Sequence, residues 1–261
     1  MVGESFLKSV AVDLVKKAQS KGLSLSDYVV VFPNNRAQLF FNKYLLEAYG
    51  KPTFSPSYET ISTLFRSLSA YRIADPIKLV CELYKVYIDV LKENPDPDFH
   101  EEEETLDNFY NWGLVLLSDF DDVDSNMVNA EDLFKNIQDT IPFEGRYDHL
   151  SEEQKDILKR FFSVFQKGEE TELKKKFLRL WSVLGEVYNR FKKELEDDGE
   201  MSEGMLKRHV IESLDNGKVA LPDKQYVVVG FNVLLESERR LFKKMSDAKR
   251  QYSIGIATSS I

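Results

Sequence analysis

The sequence predicts an α/β protein, rich in helix, whose parallel-sheet core is built from both ends of the chain and interrupted by a large all-helical insertion. Three observations predict it. The runs "YVVVF" at 28–32 and "YVVVG" at 226–230 are β-branched and apolar on both faces, as strands in the middle of a helix-covered parallel sheet are. Each is followed by a short turn and a helical pattern, the β-α unit of a doubly wound fold. Between them, everything from about 59 to 215 reads as helix. The α/β core is therefore assigned to residues 1–58 and 216–261, and the helical insertion to 59–215.

Taken in order, residues 4–21 place Phe6, Leu7, Val10, Leu14, Val15 and Ala18 on one helical stripe that stops at Gly22. Further stripes run through 36–49, 60–70, 76–92, 105–120, 130–140, 151–166, 171–197, 203–215 and 235–246. Two starts are spelled out: Asp75 precedes Pro76 at a first helical position, and Ser151 with Gln154 can form a capping box. The stretch "NPDPDFHEEEET" at 94–105, rich in proline and acid, reads as a flexible loop.

A chain of 261 residues with 43% hydrophobic and 12% aromatic content can bury a large core. The apolar runs are short, and the N-terminal stripe is interleaved with lysines and acids. Neither a membrane span nor a signal sequence is expected, and a cytoplasmic location is. The single cysteine, Cys81, excludes an internal disulfide, and three scattered histidines lack ligand spacing, so no metal or cofactor is expected. A net charge of -9 argues against a protein that coats nucleic acid indiscriminately, but the charge is uneven. Residues 93–145 hold sixteen acids against Lys135 alone, whereas "KKKFLRLW", "NRFKK" and "ERRLFKKMSDAKR" are locally basic; solvated helix faces account for such runs.

The turn "FPNNRA" after the first strand stands where a phosphate loop would. Such a loop needs glycines for close backbone approach, a lysine for the outer phosphates and a hydroxyl for magnesium. This turn has a proline, no glycine and Arg36 as its only cation, and GxxxxGK[ST] occurs nowhere in the chain. No ATP hydrolysis by the chain alone is expected. Asn34, Asn35 and Arg36 nonetheless sit where a parallel sheet exposes ligand-facing groups, at the carboxyl end of a strand. They fit either contacts to a phosphate or base edge or a helix-capping turn. The acidic cluster Asp119, Asp121, Asp122 and Asp124 fails the calcium-loop template, because Val123 and Asp124 fall where an oxygen ligand and a glycine are required. Trp112 and Trp181, at helical spacing in apolar stripes, read as core rather than as base-stacking platforms.

"FPNNRA" resembles the second landmark of the superfamily 1 helicase core, the strand-turn-helix element that touches single-stranded DNA. "TFSPSYETISTLFRSL" (53–68) is similar to the next element, a short extended segment leading into a Thr-Ile-Ser-x-Leu-x-Arg helix start. "ADPIKLVCELYKVY" (74–87), "FYNWGLVLLSDFDDVDSNMVNAEDLF" (109–134) and "YVVVGFNVLLESERRLFKKM" (226–245) follow in the order seen in AddB-like helicase-nuclease subunits. That branch has an inactivated helicase core and a C-terminal PD-(D/E)XK nuclease. "VVVGFNVLLESE" is similar to its Asp-Gly-Phe-x-x-Phe-x-x-x-Glu element, with Val229 in place of the acid and Gly230, Phe231 and Glu238 retained.

The resemblance implies a core of the P-loop, superfamily 1 helicase type, without either catalytic centre: helix 4–21 occupies the place of the Lys-Thr loop, and the nuclease would lie beyond residue 261. It also suggests a truncation. The ending "YSIGIATS", written in one compatible set of codons and read two bases later, gives Phe-Tyr-Trp-Asp-Cys-Asp-Val, the kind of strand with which the family continues. A frameshift is one reading, and a genuine strand at 252–257 the other.

Two functions are then expected as alternatives. In one, the chain is the N-terminal part of a catalytically inactive helicase scaffold in DNA repair and recombination, with Asn34, Asn35, Arg36, Arg66, Phe231 and Asn232 lining a DNA path and no enzyme activity of its own. In the other, it is an interaction module whose acidic helical insertion docks a helicase partner subunit. A sheet lacking strands supplied later in the chain would also leave an edge open to homodimerisation.

Overall fold

The computed structural model describes residues 6–95, 105–140, 170–248 and 251–253. The expected helix at 151–166 with its Ser151 cap, most of the acidic loop at 94–105 and residues 254–261 lie outside them. In chain order the elements are α1 (Phe6–Lys21), a 3-10 turn (Leu25–Asp27), β1 (Tyr28–Phe32), α2 (Arg36–Tyr49), β2 (Ser57–Thr60), α3 (Ile61–Ser67), β3 (Arg72–Ile73) and α4 (Pro76–Glu93). There follow α5 (Leu106–Ser125), α6 (Ala130–Thr140), α7 (Glu170–Asp197), β4 (Glu200–Met201), α8 (Glu203–Asp215), β5 (Gln225–Val228), α9 (Glu236–Asp247) and β6 (Gln251–Ser253). Among the described residues no helix is long and apolar enough to cross a membrane.

The chain forms two compact units, 1–73 with 124–127 and 201–261, and 74–123 with 128–200. The first is an α/β unit around a four-stranded parallel sheet of order β2-β1-β5-β6. The two apolar strands are its centre, as their two-sided hydrophobicity requires: every residue of β1 is buried, and so are Tyr226, Val227 and Val228 of β5. The crossover β1-α2-β2 steps to one side of β1 and β5-α9-β6 steps to the other side of β5. Because such crossovers are nearly always right-handed, α2 and α9 fall on opposite faces of the sheet.

One face is closed by α1 and α2. Val10, Ala11, Leu14 and Val15 of α1 and Phe41 and Leu45 of α2 form one buried cluster with Tyr28, Val30 and Phe32 of β1 and Val227 and Val229. The rings of Phe32 and Phe41 meet edge to face at 5.5 Å, and Tyr58 of β2 joins them at 6.3 Å from each. α1 stops where expected: Gly22 takes φ 65°, and Leu23 N–H donates to the Ala18 carbonyl at 3.0 Å, closing a Schellman turn. On the second side, α3 packs on β1 and β2 and against α8, which packs on α9. This moves the boundaries from 58 and 216 to 73 and 201. A sheet buried on both faces needs a second helical layer, and α3 and α8 supply part of it.

The second unit is built of α4, most of α5, α6 and α7. Asp75 caps α4 by accepting from Ile77 N–H at 2.8 Å, with Pro76 first in the helix. Tyr84 and Tyr87 of α4 enclose Phe109 and Trp112 of α5, the latter two 4.2 Å apart between centroids, so Trp112 is core material as its spacing indicates. Gly113 allows the Phe109 ring to lie over the helix, since a Cβ there would run into that ring. Lower down, Phe120, Phe134, Tyr188 and Phe191 form a second aromatic cluster.

Truncating Phe41, fully buried where α2 packs on β1 and β2, is expected to cost about 3–5 kcal/mol as Phe41→Ala, read from urea unfolding.

Candidate nucleic-acid interface at the sheet edge

The sheet register sets the site. Val31 lies level with Glu59 and Val228, so β1, β2 and β5 end together and their following turns emerge on one edge. Since the two crossovers diverge between β1 and β5, that pair is the topological switch point, where open parallel sheets expose a ligand crevice.

After β1 the chain turns through Pro33, Asn34 and Asn35 into α2. This three-residue turn is shorter than any phosphate loop. Asn34 Oδ1 accepts from the backbone N–H of Arg36 at 3.1 Å; Asn35, helical at φ -70°, makes no side-chain cap. All three residues from Asn34 to Arg36 are exposed. After β5, Val229 N–H donates to the Val31 carbonyl at 2.9 Å and Gly230 takes φ 81°, a conformation that turns the chain and favours glycine. Asn232 and Val233 then reach solvent, Val233 being 85% exposed. The register thus sets the Asn34–Arg36 turn beside the Asn232–Val233 turn.

Two expected contacts do not belong there. Phe231 is buried, its ring edge to face with Phe242 of α9 at 5.3 Å, so it has no face free for a base. Arg66 on α3 donates to the Glu203 carboxylate, which also accepts from Ser62 Oγ at 2.9 Å. Arg66 is therefore half of a latch between α3 and the first turn of α8, where an acid is favoured by the helix dipole. The "TIS" start is a capping box: Thr60 N–H donates to Thr63 Oγ1 at 2.9 Å, and Thr63 N–H returns to Thr60 Oγ1 at 3.2 Å. Glu238 is structural too. It accepts from Leu235 N–H at 3.2 Å, capping α9, and its carboxylate stands 3.6 Å from the Lys207 ammonium with both side chains largely buried.

Three cations of "ERRLFKKMSDAKR" are neutralised locally, and the basic side chains of "KKKFLRLW" lie outside the described ones. Glu236 takes two bonds from Arg239 at 2.7 Å and one from Arg240 at 2.8 Å, and Lys244 pairs with Asp215 at 2.5 Å. Arg36 and Lys43, both exposed on α2, have no ion pair among the described residues. Sequence reasoning passed over Lys43, although its place opposite the inward Phe41 and Leu45 was readable from the helical period.

Among the described residues no group of three or more His, Cys, Asp or Glu side chains is arranged to hold a metal. Asp124, 1% exposed, accepts from Arg208 Nε at 2.6 Å inside the α/β unit. Partial burial and then the neighbouring Asp122 hold the Asp119 carboxyl above its usual range. No protein-family model matches the chain, and no curated protein matches it.

Asp124→Asn removes the closer of two carboxylates from the largely buried Arg208, leaving Glu212 at 3.8 Å, and is expected to destabilise the chain by about 1–3 kcal/mol in urea unfolding. Glu236, hydrogen-bonded by Arg239 and Arg240, is pushed down to about 2. A depressed carboxylate contributes stability that is present above its unfolded value of about 4.3 and lost as pH falls. Thermal melts should therefore show Glu236→Gln less stable than the parent at pH 7, with the gap closing as pH approaches about 2.

Proposed function

We propose that this chain is a helicase-like scaffold, similar to the N-terminal part of AddB-like helicase-nuclease subunits, that holds or steers DNA in repair and recombination without hydrolysing ATP on its own. The observation that carries the reading is the edge at the switch point. Three amide side chains, Asn34, Asn35 and Asn232, and one unpaired cation, Arg36, emerge there beside the three-residue turn that stands in place of a phosphate loop. Amides both donate to and accept from base edges, and a guanidinium suits a phosphate. The ordered series of family-like segments from 32 to 245 supports the same reading, as does a sheet whose central strands are separated in sequence by a helical unit. A P-loop-type core and a cytoplasmic location go with it.

With few unpaired cations at the edge, affinity should be modest and only weakly dependent on salt. Fluorescence anisotropy with labelled single-stranded and forked DNA, at low and moderate salt, checks this. Arg36→Ala is expected to weaken binding several-fold and to reduce the log–log salt slope by about 0.7 on a single strand. Arg66→Ala, which touches only the latch, should leave binding unchanged. Absence of binding at low salt, or indifference to Arg36→Ala, would contradict the reading.

A further inference from the structure

The α/β unit and the helical unit each present a helix whose outward face is apolar where surface helices are ordinarily polar. On α2, Phe41 and Leu45 point into the core, and the opposite face carries Leu39, 74% exposed, with Phe40 and Leu46. Lys43 lies between Leu39 and Leu46 at helical spacing, exposed and without an ion pair among the described residues. The charges of α2 itself are Arg36 and Lys43 against Glu47, a positive balance in a chain whose net charge is -9.

On α5 the pattern repeats with the opposite sign. Phe109, Leu116 and Phe120 are buried, while Tyr110, Leu114 and Val115, the last 60% exposed, face solvent. The helix has five aspartates and no lysine or arginine. Asp124 is used internally by Arg208, and Asp107 and Asp119 lie on the exposed side with the apolar residues. Partial burial first, and then the neighbouring Asp122, hold the Asp119 carboxyl above its usual range, and an arriving cation would favour its charged form.

We propose that the α2 face of one copy docks on the α5 face of a second copy, apolar residues meeting at the centre and Lys43 meeting the aspartates at the rim. The charge signs select this occupant, because the chain itself carries both halves of the complement. The two faces differ, so the contact is heterologous. It closes when two copies exchange it reciprocally and runs on as a chain when they do not. Both outcomes raise mass with protein concentration, and both weaken with salt, since the rim charges are exposed and screened beyond about 10 Å at 0.1 M. The inference is independent of the DNA reading and of pairing through sheet edges, which involves main-chain hydrogen bonds rather than exposed charge.

Sedimentation velocity of the whole chain over a concentration series, at about 0.05 M and about 0.5 M salt, tests it. Self-association is expected at low salt and its loss at high salt. Lys43→Glu, and separately the pair Asp107→Lys with Asp119→Lys, should each weaken association about tenfold or more, and mixing the two variants should restore a mixed complex. Restoration also shows that both variants fold. A monomer at low salt and high concentration overturns the proposal. So does an association that survives salt and both charge reversals, which would indicate edge-strand pairing, and so does failure of the mixed variants to associate.

Discussion

The parallel pairing of β1 with β5 is the constraint from which the rest follows. It joins strands from the two ends of the chain, and both strands are buried from either side, so helices must lie on both faces. Each buried Val or Phe contributes about 1.5–3 kcal/mol when withdrawn from water, which concentrates much of the driving force in these two short runs. Closing the long loop between them is less costly than its length suggests, because loop entropy grows only logarithmically, about 0.6 kcal/mol per doubling. A whole helical unit can therefore be carried between two neighbouring strands.

The same pairing decides which polar groups are available to a ligand. Ending β1, β2 and β5 level with one another brings their turns to one edge, and the diverging crossovers open that edge between β1 and β5. Local pairing then removes most candidates: Glu203 occupies Arg66, Glu236 occupies Arg239 and Arg240, and Asp215 occupies Lys244. What remains at the edge is amide-rich with one cation, a chemistry of positioning rather than of bulk electrostatic capture.

Much of the fold was legible because the signals were local. Gly22, the Asp75-Pro76 start and the 3.6-residue stripes placed the described helices within a few residues, and two-sided apolar runs placed the central strands. β2 was not legible as a strand from its pattern: "SYET" is a polar edge strand, and only its likeness to a known extended segment marked it. The unit boundaries were missed because α3 and α8 look like any other amphipathic helices, and nothing in their periodicity says which surface they cover. Phe231 and Arg66 were misplaced for a related reason. The period of a loop is undefined, so Gly230 turning Phe231 inward leaves no trace, and Glu203 lies far from Arg66 in sequence. Burial of Asp124 within an acidic run was equally hidden, its partner Arg208 being remote in the chain.

If the two ends of the chain form one cooperative sheet, residue-resolved amide hydrogen exchange sees it directly. The amides of Tyr28–Phe32 and Gln225–Val228 should be among the slowest in the molecule and should exchange through the same opening, responding together to small additions of denaturant. Fast or independent exchange in β5 while β1 stays protected would mean that the strands do not share a sheet, and the edge built on their register would fall with it.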